Sequence, residues 1–324
     1  MKKLILVLLC SAMIFISSVT SIEAMITEQL NSSSEVTLEE IQPNAGNPSI
    51  IPSVNRQYNQ MSDEEYNALI SKLHEEDGDN SRAIIGEDNR IQILDSSDHD
   101  FTTVARIIST YPNGHVSACS STLVSANMVL TNAHCVYNSE RGGLATSVSV
   151  TPGQIGNDDQ GRPFGTALSK RIMVPDRWVE TQNRNYDYAV IELEQPIGNI
   201  TGWKGITTDV TANEITQSRF FMSGYPGDKP RGTMWMDSGD LWFEGKNNYL
   251  YHNLSTNPGS SGSGIYRTFS NKPSDLSYVI AVHASGLVSG RANVAINLTN
   301  TSNTNPGYEV INWITGNKYS LEQD

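Results

Sequence analysis

The stretch TVARIISTYPNGHVSACSSTLVSANMVLTNAHC, residues 103–135, alternates short apolar or β-branched runs with turn residues. Runs of about four to eight such residues, bounded by Gly, Pro, Asn or Ser, are typical of β-strands. The same texture extends over most of the chain from Ala83 onward, for example in YAVIEL, FFMSGY, YVIAVH and NVAIN. Many short strands at regular spacing predict an all-β fold, an antiparallel sandwich or barrel, and argue against an alternating βαβ sheet.

Two stretches predict helices instead of strands. In SDEEYNALISKLHEE, Ser62 stands at the N-cap and Glu65 at the matching position of a capping box. Near the C-terminus, Pro306 opens the run PGYEVINWITG. Helical spacing there places three apolar side chains on one face: Val310, Ile311 and Ile314.

Residues 1–24 have the layout of a secretory signal peptide. Lys2 and Lys3 precede an apolar run that ends in small and polar residues, and cleavage after Ser21 or after Ala24 fits equally well. A transmembrane helix needs about 20 apolar residues, and polar residues interrupt this run too early. We therefore expect a secreted, extracellular protein without a membrane anchor.

The next segment, residues 25–82, is predicted to be a propeptide, and residues 83–324 the mature domain. The whole chain has a formal net charge of -13. Residues 25–82 contain 3 basic and 11 acidic side chains, so much of that charge lies in the front segment. An acidic chain without a basic patch argues against nucleic acid as a partner.

Three cysteines occur in the precursor. Cys10 lies in the signal segment and is lost with it. In an oxidising compartment the remaining pair, Cys119 and Cys135, is expected to form one disulfide. Two unpaired buried thiols are the alternative.

Three segments carry residues suited to nucleophilic catalysis: LTNAHC ends in His134 and Cys135, NYDYAVIEL contains Asp187, and NPGSSGSG contains Ser261. A serine hydroxyl needs a base to take its proton, and a histidine held in one tautomer by a carboxylate supplies that base. Each residue alone is weak evidence for an active site. The order His, Asp, Ser on an all-β chain predicts a serine peptidase and excludes the α/β-hydrolases, which run Ser, Asp, His.

Ser260, Ser261 and Ser263 compete as the nucleophile in GSSGSG. Only Ser261 has the setting Gly-x-Ser-Gly. Gly259 then allows the backbone to turn so that its N–H and that of Ser261 point at one developing oxyanion. We therefore predict Ser261 as nucleophile and Gly259 and Ser261 as the oxyanion hole.

At these residues the chain resembles the chymotrypsin-like serine peptidases, and more closely the bacterial glutamyl endopeptidases of the Bacillus type. The matching stretches are AIIGEDNR at 83–90, TNAHCVY around His134, NYDYAVIELEQPIGN at 185–199, SGYPGDKPRGTMW at 223–235, LSTNPGSSGSG at 254–264 and AVHASG at 281–286. The resemblance implies two antiparallel Greek-key β-barrels, about 83–203 and about 204–324 including a C-terminal helix, with the active site between them. It also supports the disulfide.

The resemblance further implies a substrate preference. Trypsin-like enzymes carry an aspartate six residues before the nucleophile; here Ser255 stands there, so cleavage after Lys or Arg is not expected. In glutamyl endopeptidases a hydroxyl and a histidine hold the substrate carboxylate, and Thr256 and His283 fall on those positions. Without the family match, His283 is a hydrogen-bonded strand histidine.

The same family uses the freed N-terminal ammonium as a third carboxylate contact. The match at AIIGEDNR predicts processing between Arg82 and Ala83, and Arg82 does not suit this enzyme's own pocket. We therefore expect a zymogen, a separate activating protease, and cleavage after Glu or Asp through an acyl-enzyme. Protein or peptide substrates are the expected partners of a monomer.

Two alternatives to a strict glutamyl endopeptidase remain open: a protease of the same fold with broader specificity, and a non-catalytic binding homologue. Asn257, Pro258 and Ser260 depart from the family pattern beside the nucleophile. No cofactor is expected to be required. The acidic run DSSDHD at 95–100 is interpreted as a solvated loop in preference to a structural calcium site, because its spacing is not that of an EF-hand.

Overall fold

The computed structural model describes residues 40–46, 57–73, 84–244, 248–286, 291–299 and 305–316. The predicted signal peptide and both residues of the predicted Arg82–Ala83 junction lie outside these ranges. Among the described helices, none is long and apolar enough to cross a membrane.

Short strands dominate the described chain. In chain order they are β1 (Ile91–Ile93), β2 (Val104–Thr110), β3 (Val116–Leu123), β4 (Met128–Thr131), β5 (Tyr137–Asn138), β6 (Gly143–Leu144), β7 (Ser147–Pro152), β8 (Ala167–Met173), β9 (Ala189–Leu193), β10 (Gly205–Ile206), β11 (Arg219–Gly224), β12 (Met234–Trp242), β13 (Tyr249–His252), β14 (Gly264–Arg267), β15 (Tyr278–Gly286) and β16 (Asn293–Asn297). The helices are α1 (Asp63–Ser71), α2 (His99–Thr102), α3 (Asp176–Thr181), α4 (Gly198–Thr201), α5 (Ala212–Thr216) and α6 (Pro306–Thr315). Three 3₁₀ turns cover Ala133–Cys135, Ser139–Arg141 and Arg184–Tyr186.

The strands form two closed barrels of six strands each. The first closes in the order β2-β3-β4-β9-β8-β7, and all its neighbours are antiparallel. The second runs β12-β11-β14-β15-β16-β13 and closes where β13 pairs with β12. β10 adds to β15 in parallel. The predicted fold class, two antiparallel barrels with a C-terminal helix, is confirmed.

β1 lies inside the range predicted for the first barrel but belongs to the second sheet. It pairs antiparallel with β12, with Ile91 opposite Met236. The buried side chain of Ile93 packs in one cluster with Tyr225 and Met234. This burial of apolar surface explains why the strand joins the sheet of the second barrel.

Strand β2 is buried on both faces. Ile107 points into the core of the first barrel, whereas Ile108 belongs to a second cluster that includes Val116 and Tyr66. A barrel strand with one face in water alternates apolar and polar residues. The run ARIIS does not alternate, because α1 covers the outer face of β2.

Both predicted helices are present. Ser62 caps α1 through a capping box with Glu65, as the sequence predicts. On α6, Val310 and Ile311 are fully buried and Ile314 is half-buried. Glu309 of α6 accepts a hydrogen bond from the hydroxyl of Tyr188, the residue that follows Asp187. The C-terminal helix therefore fixes the start of the strand next to Asp187.

Cys119 and Cys135 form the predicted disulfide. The bond joins β3 to the 3₁₀ turn that contains His134. Closing a loop with a sequence separation of 16 contributes about 3 kcal/mol in the chain-entropy model. The bond therefore stabilises the backbone on which His134 sits.

The acidic run at 95–100 has structural contacts. Asp98 caps α2 by accepting the N–H of Asp100. Asp100 forms an ion pair of 3.0 Å with Lys204, whose side chain is fully buried. Asp100 therefore has a structural role that the interpretation of this run as a solvated loop did not include, since a buried ammonium needs a charged partner.

Candidate active site

His134 and Asp187 are brought together by the pairing of β4 with β9. Thr131 lies opposite Ala189, so the turns that flank these two residues are neighbours. His134 Nδ1 lies 2.7 Å from Asp187 Oδ2, and the His134 backbone N–H donates to Asp187 Oδ1 at 2.9 Å. Asn132 Nδ2 donates to the Asp187 carbonyl at 2.7 Å. Because a carboxylate accepts hydrogen bonds, this geometry places the imidazole proton on Nδ1 and leaves Nε2 as an acceptor.

Ser261 lies beside the same histidine. The Sγ atom of Cys135 is 3.7 Å from His134 Nε2 and 3.8 Å from the Ser261 carbonyl oxygen. The Ser261 hydroxyl is 3.5 Å from the Ala284 carbonyl, which is too long for a strong hydrogen bond. The structure thus brings the three predicted residues into one site and leaves the hydroxyl weakly held.

The Gly259 N–H is oriented by its own peptide. The carbonyl of that peptide belongs to Pro258 and accepts the Gly227 N–H at 2.7 Å. In a trans peptide the C=O and N–H point in opposite directions, so the Gly259 N–H points away from Gly227. Gly259 has a φ of 97°, which a residue with a side chain rarely adopts.

The Ser261 N–H is fixed in the same way. The carbonyl of Ser260 accepts the Ser263 N–H at 3.1 Å, which turns the N–H of Ser261 to the other side of its peptide. Within the part of the chain that the structure describes, no hydrogen bond engages the N–H of Gly259 or of Ser261 as donor. Both donors of the predicted oxyanion hole are therefore available to a ligand.

Ser120 supports this loop, and no sequence motif indicates it. Its hydroxyl donates to the Gly259 carbonyl at 2.7 Å and accepts the Tyr225 N–H at 2.8 Å. Its backbone N–H donates to the Ser261 carbonyl at 2.8 Å. Ser120 comes from the first barrel and Ser261 from the second, so this contact fixes the nucleophile loop across the two barrels.

Ser255 and Thr256 lie at the predicted pocket positions, and both are buried. Asp237, which the sequence analysis did not single out, accepts the Ser255 N–H at 2.7 Å and the Ser238 N–H at 2.8 Å. Each of its carboxylate oxygens therefore receives a backbone donor. The negatively charged carboxylate of Asp237 therefore contacts the backbone N–H of Ser255.

His283 is buried and contacts a second histidine. Its Nδ1 lies 3.1 Å from Nε2 of His252, and the two rings meet edge to face. Burial, together with the nearby His134, lowers the pKa of His283 to about 3, although a hydrogen bond to the Val294 backbone acts the other way. Burial and His283 also hold the pKa of His252 well below its usual range. Both imidazoles are therefore neutral at neutral pH.

The tautomer of this pair follows from an unpartnered atom. Within the described residues, Nδ1 of His252 is buried without a hydrogen-bond partner. A buried N–H without an acceptor costs more than an unused lone pair. His252 therefore donates Nε2–H to His283 Nδ1, and His283 carries its own proton on Nε2.

Ala83, the third predicted pocket residue, lies outside the described ranges. The other predicted contacts, Thr256 and His283, come from the chain on either side of Ser261. His252, Asp237 and Ser120 were missed because each acts through a tertiary contact. The closest sequence signal for His252 is its place at the end of the apolar and aromatic run YLYH, residues 249–252.

Acid should destabilise the protein through the histidine pair. The folded pKa values of His252 and His283 lie below the ordinary 6.5, so on acidification the unfolded chain binds protons that the folded chain does not. Stability is therefore lost as the pH falls from 6.5 toward about 3, the folded pKa of His283. The free energy of unfolding should fall by up to about 1.4 kcal/mol per pH unit for each histidine.

Denaturant unfolding between pH 7 and pH 4 measures this slope. His283→Gln should reduce it by about 1.4 kcal/mol per pH unit. His115→Gln, which changes a histidine outside the pocket, serves as the control. An unchanged slope in His283→Gln would contradict the buried, neutral state of His283.

The sequence model of the trypsin family matches residues 95–303 of this chain. The chain belongs to the trypsin family. This trypsin-family chain is 30% identical to a glutamyl endopeptidase of Bacillus licheniformis, over 69% of the chain and 70% of that relative. It also superposes on a solved structure of a Glu endopeptidase in complex with MPD, with a TM-score of 0.58 and 28% identity, covering 72% of this chain and 99% of the other. The protein is a serine endopeptidase.

A further relative carries a name that implies a metal. The trypsin-family enzyme is 31% identical to a protein of Bacillus subtilis named extracellular metalloprotease, over 63% of each chain. Among the described residues, the one cluster with metal-ligand spacing is Cys119, His134 and Cys135. Its two sulfurs are bonded to each other, so they offer no thiolate. This cluster does not fit a metal centre.

Proposed function

We propose that this trypsin-family enzyme is secreted, is made as a zymogen, and hydrolyses peptide bonds preferentially after Glu through an acyl-enzyme. The observation that carries the catalytic part is the hydrogen-bonded pair of His134 and Asp187 beside the weakly held hydroxyl of Ser261. The relatives named glutamyl endopeptidase support the substrate preference. The signal layout of residues 1–24 supports secretion.

In the proposed mechanism, Ser261 Oγ attacks the carbonyl carbon of the scissile bond while its proton passes to His134 Nε2. Asp187 holds the ring through Nδ1 and stabilises the imidazolium that forms. The negative oxygen of the tetrahedral intermediate receives the N–H groups of Gly259 and Ser261. Each such donor is worth about 3 to 4 kcal/mol to the transition state.

The intermediate collapses when His134 gives its proton to the leaving amine, and the acyl group remains on Ser261. Water then enters with His134 again as base, and the second tetrahedral intermediate uses the same two N–H donors. Ser261 regains its proton from His134 as the acid product leaves. Both halves of the reaction therefore use one base and one oxyanion site.

The pocket residues proposed for the substrate carboxylate are Thr256 and His283. A carboxylate that leaves water needs hydroxyl or charge-assisted hydrogen bonds to offset its desolvation. Because His252 occupies Nδ1 of His283, the donor for the substrate is Nε2–H, which would turn to the carboxylate from the Val294 backbone. A bound carboxylate would raise the pKa of His283, because the nearby negative charge favours the imidazolium.

The freed Ala83 ammonium is proposed as a third contact to this carboxylate. A precursor that is not cut between Arg82 and Ala83 lacks that charge, so it should cleave Glu substrates poorly. Arg82 fits a protease that cuts after basic residues, which makes a separate activating enzyme the proposed partner. Structural calcium is not needed for any step above.

Asp237 favours one alternative, a protease of the same fold with broader specificity. Its carboxylate lies behind Ser255 at 2.7 Å from that N–H. A fixed negative charge there opposes a buried substrate carboxylate. The strictness of the preference for Glu therefore depends on whether His283 becomes protonated in the complex.

A cleavage profile of the processed enzyme tests the pocket. On peptides that differ only before the scissile bond, kcat/KM should favour Glu over Gln. His283→Ala should lower that ratio by about 10- to 100-fold, the equivalent of one hydrogen bond to a charged group. His115→Ala is the matched control. A Glu preference that survives His283→Ala would remove His283 from the pocket, and a wild-type enzyme without the preference would favour the broader protease.

A further inference from the structure

Part of the predicted propeptide packs on the first barrel like a core element. Tyr66 of α1 is 0% exposed. Its hydroxyl accepts hydrogen bonds from Gln154 Nε2 at 2.6 Å and from Arg106 Nη1 at 3.4 Å. Residues 57–73 therefore form hydrogen bonds with polar side chains that are buried beneath them.

Arg162 of the first barrel is held by the same helix. Its side chain is 2% exposed, forms an ion pair with Asp63, and places its guanidinium 4.1 Å from the centroid of the Tyr66 ring. A buried guanidinium needs both a charged partner and a fitted surface. Among the described residues, Asp63 is its carboxylate partner.

The surface beneath α1 is apolar. Ile108 and Val116 of the barrel are almost fully buried under Tyr66 and Leu73, with Met61, Leu69 and Ile70 packed around them. Removal of the segment would expose a contiguous apolar patch on the outside of a barrel strand, where polar residues are the rule. The sequence of β2, apolar on both faces, matches a permanently covered strand.

Residues just before α1 bind the backbone of the barrel. The Gln60 N–H donates to the Thr166 carbonyl at 2.8 Å, and Asn59 Oδ1 accepts the Thr166 N–H at 2.8 Å. Gly165 has a φ of 75°, and a Cβ there would lie 2.7 Å from Asn59. Asn59 can therefore occupy this position only because residue 165 is a glycine.

A second anchor lies at residues 40–46. Ile41 exchanges two backbone hydrogen bonds with Ile206, of 3.0 and 2.9 Å, and Glu40 forms an ion pair with Lys272. Asn44 makes an isolated bridge with Trp203. The front segment is thus held at two separate places on the body of the enzyme.

We infer that the front chain remains bound to the body of the enzyme after the chain is cut, through residues 40–46 and 57–73, as a non-covalent second chain that stabilises the first barrel. The contacts described for residues 40–46 and 57–73 involve none of His134, Asp187 and Ser261, so a bound segment is compatible with an open site. The inference rests on the proposed processing between Arg82 and Ala83. Under it, activation needs the cut but not the departure of the segment.

The test uses the full chain with residues 76–82 replaced by the recognition site of a sequence-specific protease. The position of the cut is then known and does not depend on where natural processing occurs. After cleavage, size-exclusion chromatography in native buffer is followed by intact-mass analysis of the enzyme peak. We expect both chains in that peak at a 1:1 ratio, separating only in denaturant. A folded enzyme peak without the front chain would overturn the inference.

Variants of the interface sharpen the result. After the cut, Tyr66→Ala should release the front chain and lower the Tm. Before the cut the effect should be smaller, since a tethered segment has a high effective concentration. Asn67→Ala, at an exposed neighbour on α1, should retain the chain. Arg162→Met tests the same contact from the barrel side if Tyr66→Ala does not fold, and retention of the chain by Arg162→Met as tightly as by wild type would contradict the assigned contact.

Natural processing is measured separately, by N-terminal sequencing of the secreted enzyme. A natural cut elsewhere than Arg82–Ala83 would count against the proposed zymogen processing and leave the retention result standing. A correct cut with a lost front chain would count against retention alone.

Discussion

Asp187→Asn is expected to lower kcat by about 10⁴-fold and to leave the fold intact. Asp187 accepts two donors, the backbone N–H of His134 on Oδ1 and the ring Nδ1–H on Oδ2. An asparagine can accept one of these and must turn its NH₂ group toward the other. The ring then takes the tautomer with the proton on Nε2, which cannot receive the proton of Ser261.

Steady-state kinetics on one peptide substrate measure this effect, with circular dichroism as the check on folding. Asp176→Asn, at an exposed carboxylate at the start of α3, is the matched control and should keep full activity. A folded Asp187→Asn enzyme within about tenfold of wild-type kcat would show that the tautomer argument is wrong, given the size of the effect in this mechanism.

Gly259→Ala is expected to lower kcat by about 10²- to 10³-fold, the value of one oxyanion donor. A Cβ on Gly259 would lie 2.5 Å from the Tyr225 carbonyl oxygen and 3.2 Å from the Gly227 nitrogen. These are backbone atoms, so the loop must move. Movement breaks the hydrogen bond from Gly227 to the Pro258 carbonyl that orients the Gly259 N–H.

Gly114→Ala is the control for this substitution. Gly114 also has a positive φ, of 84°, but a Cβ there meets no atom within 4 Å. It should therefore show the cost of the backbone conformation, of order 1 kcal/mol, without a loss of kcat. Equal kcat losses in the two variants would contradict the oxyanion role of Gly259.

The pattern of short strands was enough to predict an all-β sandwich or barrel, because alternation and turn residues are local properties of the chain. The two barrels were predicted from the family resemblance. The same holds for α1 and α6, because the capping residues and the apolar face of each helix lie within one short segment of the sequence. The pairing of β1 with β12 could not be predicted, since its partner lies more than a hundred residues away and the strand has only 3 residues.

The candidate site divides in the same way. His134, Asp187 and Ser261 were predicted because three short motifs follow one another in the order His, Asp, Ser, which can be read along the chain. His252 reaches His283 only through the pairing of β13 with β16 and of β16 with β15. Ser120 and Asp237 are ordinary strand residues until the two barrels and the pocket loop have formed. Such residues leave no pattern in the sequence.

The proposed mechanism depends most on Ser261 being the nucleophile. Processed enzyme treated with a fluorophosphonate probe, digested and mapped by mass spectrometry, tests this directly. We predict a single adduct on Ser261, formed much more slowly in Asp187→Asn. An adduct on Ser260 or Ser263, or no adduct in folded and processed enzyme, would contradict it.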